Sequence, residues 1–149
     1  MKYFLIAGEA SGDMHGAKLM AEIKKVDATA EFMFFGGDLM KDQGGQLIKH
    51  YRDLAFMGII PVVMNIGAVL RNFKQCKKEI SGFHPDVLIL IDYPGFNLRM
   101  ARYAKKNRIR TVYYISPKIW AWKTKRVKKV KKDVDHMFTI FPFETEFYK

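Results

Sequence analysis

Cysteine is almost absent from this chain. Cys76 stands alone among 149 residues, so no internal disulfide can form and the composition fits a reducing compartment. Proline is sparse, at five residues, and no Pro/Gly/Ser-rich stretch marks a linker or low-complexity segment. Acidic side chains are in deficit, 15 against 26 Lys and Arg, which leaves a net charge of +11. No Cys/His cluster has metal-ligand spacing, so neither a structural zinc nor any other metal is expected. No apolar run reaches the ~20 residues needed to span a bilayer. The opening Met1-Lys-Tyr-Phe-Leu-Ile-Ala7 meets Gly8 and Glu9 too soon to form a signal-peptide core. It reads as a first strand, and the protein as cytoplasmic.

What is present is apolar and periodic. With 49% hydrophobic residues the chain is not disordered, and its length suits one domain with a substantial core. Strands are expected at Tyr3–Ala7, Glu31–Phe35, Val87–Ile91, Thr111–Ile115 and about His136–Phe141, with a weaker segment at Leu47–Tyr51. Helices are expected from about Gly12 to Lys25, up to about Ile80, from Asn97 to Lys106 and over about Thr124–Lys132. This alternation implies an α/β fold, a Rossmann-like parallel sheet with right-handed crossovers and helices on both faces.

The most informative stretch is Ile91-Asp92-Tyr93-Pro94-Gly95-Phe96-Asn97. A five-residue apolar run, Val87–Ile91, reads as a strand buried on both faces. A carboxylate at its carboxyl end sits where open α/β sheets bind ligands, which makes Asp92 the candidate for chemistry; the plain alternative is a solvated turn aspartate. Asn97 reads as a helix N-cap or a ligand contact. Gly8-Glu9-Ala10-Ser11-Gly12-Asp13 follows the first strand and opens a helix. Its spacing is neither a dinucleotide fingerprint nor a P-loop, and Glu9 and Asp13 would repel phosphate. Hydrogen bonding to sugar hydroxyls is one reading; Ser11 or Asp13 capping the helix is the other. His15, in that helix, is a rival base.

Two further segments stand out. Ala55–Leu70 holds sixteen residues with one polar side chain, Asn65, and is interrupted by Gly58, Pro61 and Gly67. Val62, Ile66, Val69, Leu70 and Phe73 give one helical face, but Val63 and Met64 fall off it, so the segment looks apolar nearly all round in its first half. Either another domain covers it or it meets lipid. Seven of the ten residues Lys123–Lys132 are Lys or Arg, which points to a polyanionic partner or to a solvated helix face. In Ser116-Pro-Lys-Ile-Trp120-Ala-Trp122, at another strand end, the tryptophans could stack on a sugar, lie at a membrane interface or pack under the basic helix.

Together these pieces resemble the lipid-A-disaccharide synthase family. The resemblance rests on Gly8–Asp13, Met57-Gly-Ile59, Asp92–Asn97, Ser116–Trp122 with Lys125-Arg-Val-Lys128, and Phe141-Pro-Phe-Glu144, in the family's order over almost the whole chain. It implies the amino-terminal, acceptor-side half of a two-domain GT-B glycosyltransferase, with a carboxyl-terminal UDP-binding domain beyond this chain. The reaction implied joins UDP-2,3-diacylglucosamine to 2,3-diacylglucosamine 1-phosphate with inversion and releases UDP, without a cofactor. By resemblance Asp92 is the base, and Glu9, Ser11, Gly12, Asp13, Asn97, Ser116 and Trp120 contact substrate. Ile60, Val62, Val63, Ile66, Val69, Leu70 and Phe73 would take acyl chains or enter the inner leaflet. Lys125, Arg126, Lys128 and Lys129 would hold anionic headgroups, placing the protein peripherally on the inner membrane. Two positions depart from the pattern: Pro61 replaces a glutamate, and Gly95 replaces an acidic residue, leaving Asp92 the one carboxylate of its turn. The alternatives are a basic α/β module that binds nucleic acid, which the resemblance disfavours, and a GT-B nucleotide-sugar enzyme with another acceptor.

Overall fold

The computed structural model describes residues 1–54, 66–116 and 127–148. In chain order it contains β1 (Lys2–Ala7), α1 (Ala10–Val26), β2 (Glu31–Gly36), α2 (Asp38–Asp42), β3 (Gln46–His50), α3 (Tyr51–Leu54) and α4 (Ile66–Phe83). Then follow β4 (Val87–Ile91), α5 (Pro94–Lys106), β5 (Arg110–Tyr114), α6 (Val127–Asp133), β6 (His136–Phe138) and α7 (Pro142–Tyr148). All strand pairs are parallel, in the order β3-β2-β1-β4-β5-β6. The expected Rossmann-like sheet is the one observed.

The pleat divides the core. Phe4, Ile6, Leu88 and Leu90 face α4 and α5, packing on Phe73, Cys76, Ile80, Phe96, Met100 and Ala104. Leu5, Ala7, Val87, Ile89 and Ile91 face the other way, onto Ala17 and Met20 of α1 and Met40 of α2. Every residue of β4 is buried, as its unbroken apolar run requires in a sheet covered on both faces. Phe73 stacks on Phe96, ring centroids 4.3 Å apart, and joins α4 to α5.

Several element limits differ from the expected ones, each for a local reason. α5 starts at Pro94, three residues before Asn97, because proline's fixed φ suits the first helical turn and its missing N–H is not needed there. α1 starts at Ala10, with no side-chain cap at its N-terminus. β6 ends at Phe138 rather than Phe141, because the N–H groups of Ile140 and Phe141 donate to the Glu144 carboxylate instead of a ladder, at 2.9 and 3.1 Å. The short helices α2 and α3 had no sequence signal.

Asp13 explains α2. Its carboxylate, 3% exposed, accepts the backbone N–H groups of Gly37, Leu39 and Met40 at 2.7, 3.1 and 3.1 Å. These are orphan donors at the start of α2, so Asp13 caps a helix other than its own. Asp13→Ala would bury three amides without an acceptor and is expected to destabilise the fold by about 3 kcal/mol, read as a lower urea midpoint at constant slope.

Candidate active site

The parallel register brings the expected site residues to one edge. Ala7 pairs with Ile91 and Ile91 with Tyr114, so Gly8, Asp92 and Ile115 are the next residues of three adjacent strands, spaced about 5 Å apart. α1 leaves this edge on one face of the sheet and α5 on the other. The gap between β1 and β4 is therefore the topological switch point, where open α/β sheets bind ligands.

The backbone is strained here. Asp92 and Tyr93 are both left-handed, with φ 44° and 48°, and Ile115 beside them has φ 70°. Non-glycine residues rarely adopt this region, and a β-branched one almost never does. The other two left-handed non-glycine residues described, His84 and Arg108, close the ends of α4 and α5, where such a conformation is routine. The strain is thus concentrated at the ends of β4 and β5.

Three neighbours hold it. The Asn97 side-chain amide donates to the carbonyls of Asp92, Ile91 and Ile6 at 2.8, 3.2 and 3.4 Å, at the ends of β4 and β1. The Tyr113 hydroxyl donates to the Asp92 carbonyl at 2.6 Å. Burial first, and then the Asp92 charge, push that hydroxyl well above the usual phenol range, so it remains a donor. The Tyr93 ring lies over Gly8, where a Cβ would come within 2.4 Å of it; only glycine lets the two strand ends meet this closely. Burial raises the Tyr93 hydroxyl to about 12.

The expected substrate contacts separate into two groups. Glu9 and Ser11 are exposed, and the Ser11 hydroxyl donates to the Glu9 carboxylate. Asp92 is half-buried. Gly12, Asp13, Asn97 and Ser116 are buried, and each has a structural partner. Gly12 is buried where a Cβ would stand 3.2 Å from that of Ala7, so it admits α1 against the sheet. Asp13 caps α2, and Asn97 ties strand ends and caps nothing. Ser116 is 1% exposed, and its hydroxyl donates to Glu144 at 2.6 Å. His15 is half-buried in α1. Trp120 lies outside the described residues.

The expected lipid-facing residues also divide. Val69 and Phe73 are buried in the core, at 7% and 8% exposure, with Phe73 against Phe96, whereas Ile66 and Leu70 are 60% and 58% exposed. Ile60, Val62, Val63, Lys125 and Arg126 lie outside the described residues, as does the Lys129 side chain, while Lys128 is exposed on α6. Among the described residues no helix is long and apolar enough to cross a membrane, and no group of three His, Cys, Asp or Glu is placed to hold a metal.

Sequence reasoning missed Tyr93, Tyr113 and Glu144 as the residues that shape the site. A bulky residue between an aspartate and a Pro-Gly turn was the one available signal, for Tyr93.

A parallel sheet with this order and this switch point defines a Rossmann-like domain, the unit from which each half of a GT-B fold is built. The likeness extends to a solved structure, UDP-GlcNAc 2-epimerase from Neisseria meningitidis bound to UDP-GlcNAc, at TM-score 0.68 and 10% identity over 99% of this chain and 42% of that one. At that identity the likeness is one of fold alone. Within this class the chain belongs to the lipid-A-disaccharide synthetase family, whose model matches residues 3–149. It is 43% identical to the lipid-A-disaccharide synthase of Geobacter sulfurreducens over 148 residues, covering 99% of this chain and 38% of that protein. It is 44% identical to that of Xylella fastidiosa strain M23 over 144 residues, 97% of this chain and 37% of that one. For Coxiella burnetii strain Dugway the identity is 39%, over 97% and 39%. The chain thus spans less than two fifths of these relatives' length.

Asn97→Ala removes the amide that binds three strand-end carbonyls. It is expected to destabilise the domain by about 2 kcal/mol, and amide hydrogen exchange should rise at residues 91–94 more than in β2.

Proposed function

We propose that this chain is the acceptor-side domain of an inverting glycosyltransferase of lipid A biosynthesis, with the UDP-binding domain in the remaining length that its relatives carry. The substrates are UDP-2,3-diacylglucosamine and 2,3-diacylglucosamine 1-phosphate. The observation that carries this reading is Asp92, a half-exposed carboxylate on a strained turn at the switch point of a family member.

The 6-hydroxyl oxygen of the acceptor attacks the anomeric carbon of the donor sugar from the face opposite UDP. A new C–O bond forms as the bond to the β-phosphate breaks, and the departing electron pair stays on UDP. The hydroxyl proton passes to the Asp92 carboxylate, which requires hydrogen-bond reach between them. Glu9 and Ser11 face the sugar hydroxyls from the β1 edge. Donors of the UDP-binding domain meet the charge on the leaving group.

Both substrates carry acyl chains and so reside in a bilayer. Ile66 and Leu70, with Ile60, Val62 and Val63, are the residues for acyl chains or the inner leaflet; Lys128, with Lys125, Arg126 and Lys129, serves anionic headgroups. The protein then works peripherally on the cytoplasmic side of the inner membrane.

The test is UDP release by the full-length protein given both diacylated sugars. Asp92→Asn is expected to lower the rate by about 10²–10⁴-fold, with unfolding and substrate binding unchanged. A variant as active as wild type would move the base to His15 or Glu9, and a wild type that releases no UDP would end the assignment. The 149-residue chain alone is expected to fold and to release none, because half of the cleft is absent.

A further inference from the structure

The Asp92 turn is held by two donors that differ in kind. Asn97 binds its carbonyl from the first turns of α5, the helix that the turn itself starts. Tyr113 binds the same carbonyl from β5, 21 residues further along the chain. Tyr113 pairs with Leu90 of β4 on one side and with Met137 of β6 on the other, so a ladder on each flank fixes its backbone. Its side chain is fully buried, in the core layer that holds Leu90, Phe96, Met100 and Ala101. The hydroxyl is therefore a donor on a fixed post.

What this donor decides follows from the pleat. Leu90 faces α4 and α5, and Ile91 faces α1. By strand alternation the next residue would point its side chain back toward α4 and α5. A carboxylate there would enter the layer of Phe96 and Tyr113 instead of the open edge. The left-handed φ of 44° at Asp92 breaks the alternation. Its carbonyl then meets the Tyr113 hydroxyl and the Asn97 amide, and the residue is half-exposed. A return to extended backbone would move the carbonyl off both donors.

Tyr113→Phe isolates one of these bonds. The ring stays packed, and the Asp92 carbonyl keeps the Asn97 amide at 2.8 Å, so that buried acceptor is not left without a donor. The change should act on the aim of the carboxylate far more than on folding. A general base must stay within hydrogen-bond reach of the proton it takes, and a displacement of about 1 Å costs a large part of the rate.

We propose that Tyr113 is a positioning residue of the glycosyl transfer: its hydroxyl, bonded to the Asp92 carbonyl from the neighbouring strand, keeps the Asp92 turn left-handed and the carboxylate directed at the acceptor hydroxyl. The proposal rests on the reading of Asp92 as the base. Tyr113 itself is fully buried and acts through that carboxylate, not on the substrate.

The test is UDP release by the full-length protein over a range of acceptor concentrations, in wild type, Tyr113→Phe, Asp92→Asn and the double variant. Tyr113→Phe is expected to lower kcat about 10–100-fold and to leave the acceptor KM within about twofold. In the Asp92→Asn background the same change should lower the residual rate by less than about twofold, because the hydroxyl acts through that carboxylate. Ile80→Val, a buried change in α4 beside Pro85 and Asp86 at the amino edge of the sheet, should keep the wild-type kcat. Amide exchange at residues 92–94 should quicken in Tyr113→Phe and not in Ile80→Val. Wild-type kcat in Tyr113→Phe, with Asp92→Asn inactive, would overturn the positioning role and leave the base standing. So would a raised KM at unchanged kcat, or an equal loss of kcat in Ile80→Val. A loss caused by poor folding would recur undiminished in the Asp92→Asn background and would likewise count against the proposal. Should Asp92→Asn be as active as wild type, the base reading fails and the positioning role fails with it.

Discussion

The carbonyl oxygen of Asp92 accepts two hydrogen bonds, one from Asn97 on α5 and one from Tyr113 on β5, and the shape of the site depends on this. Two consecutive left-handed residues cost about 1–3 kcal/mol each and persist only if their surroundings over-determine them. Asn97 supplies the deeper link because the same amide reaches the carbonyls of Ile91 and Ile6, so β1, β4 and the strained turn move together. Tyr93, turned over Gly8 by its positive φ, closes the same unit from above. The outcome is a carboxylate on a turn held from three sides.

Two buried carboxylates flank this turn and act alike. Asp13 gathers three N–H groups at the start of α2, and Glu144 gathers two N–H groups and the Ser116 hydroxyl at the ends of β5 and β6. Each satisfies backbone donors that would otherwise be buried unpaired, and each shapes the rim of the site without facing it. The acidic groups left at the surface of the edge include Glu9, and Asp92 is half-exposed.

α4 and α5 pack antiparallel to the strands, so both begin at the carboxyl edge, and the exposed Ile66 and Leu70 lie in the first turns of α4.

Strand–helix alternation, the fully apolar run Val87–Ile91 and the turn after Asp92 were legible from the chain, because these signals are local: a periodicity, a run length, a proline and a glycine. They determined a parallel sheet, its layers and the residue at its most telling strand end, and the order of five motifs pointed to the family. The partners of Asp13, Asn97, Ser116 and Glu144 were not legible, since each bonds to residues 27, 91, 28 and 28 positions away at the farthest. Polar residues in a loop motif look alike whether they face a ligand or a buried amide, and only tertiary packing decides which. The same holds for Val69 and Phe73, which share a helix with Ile66 and Leu70 and are apolar like them. Packing into the core buried the first pair and left the second pair at the surface.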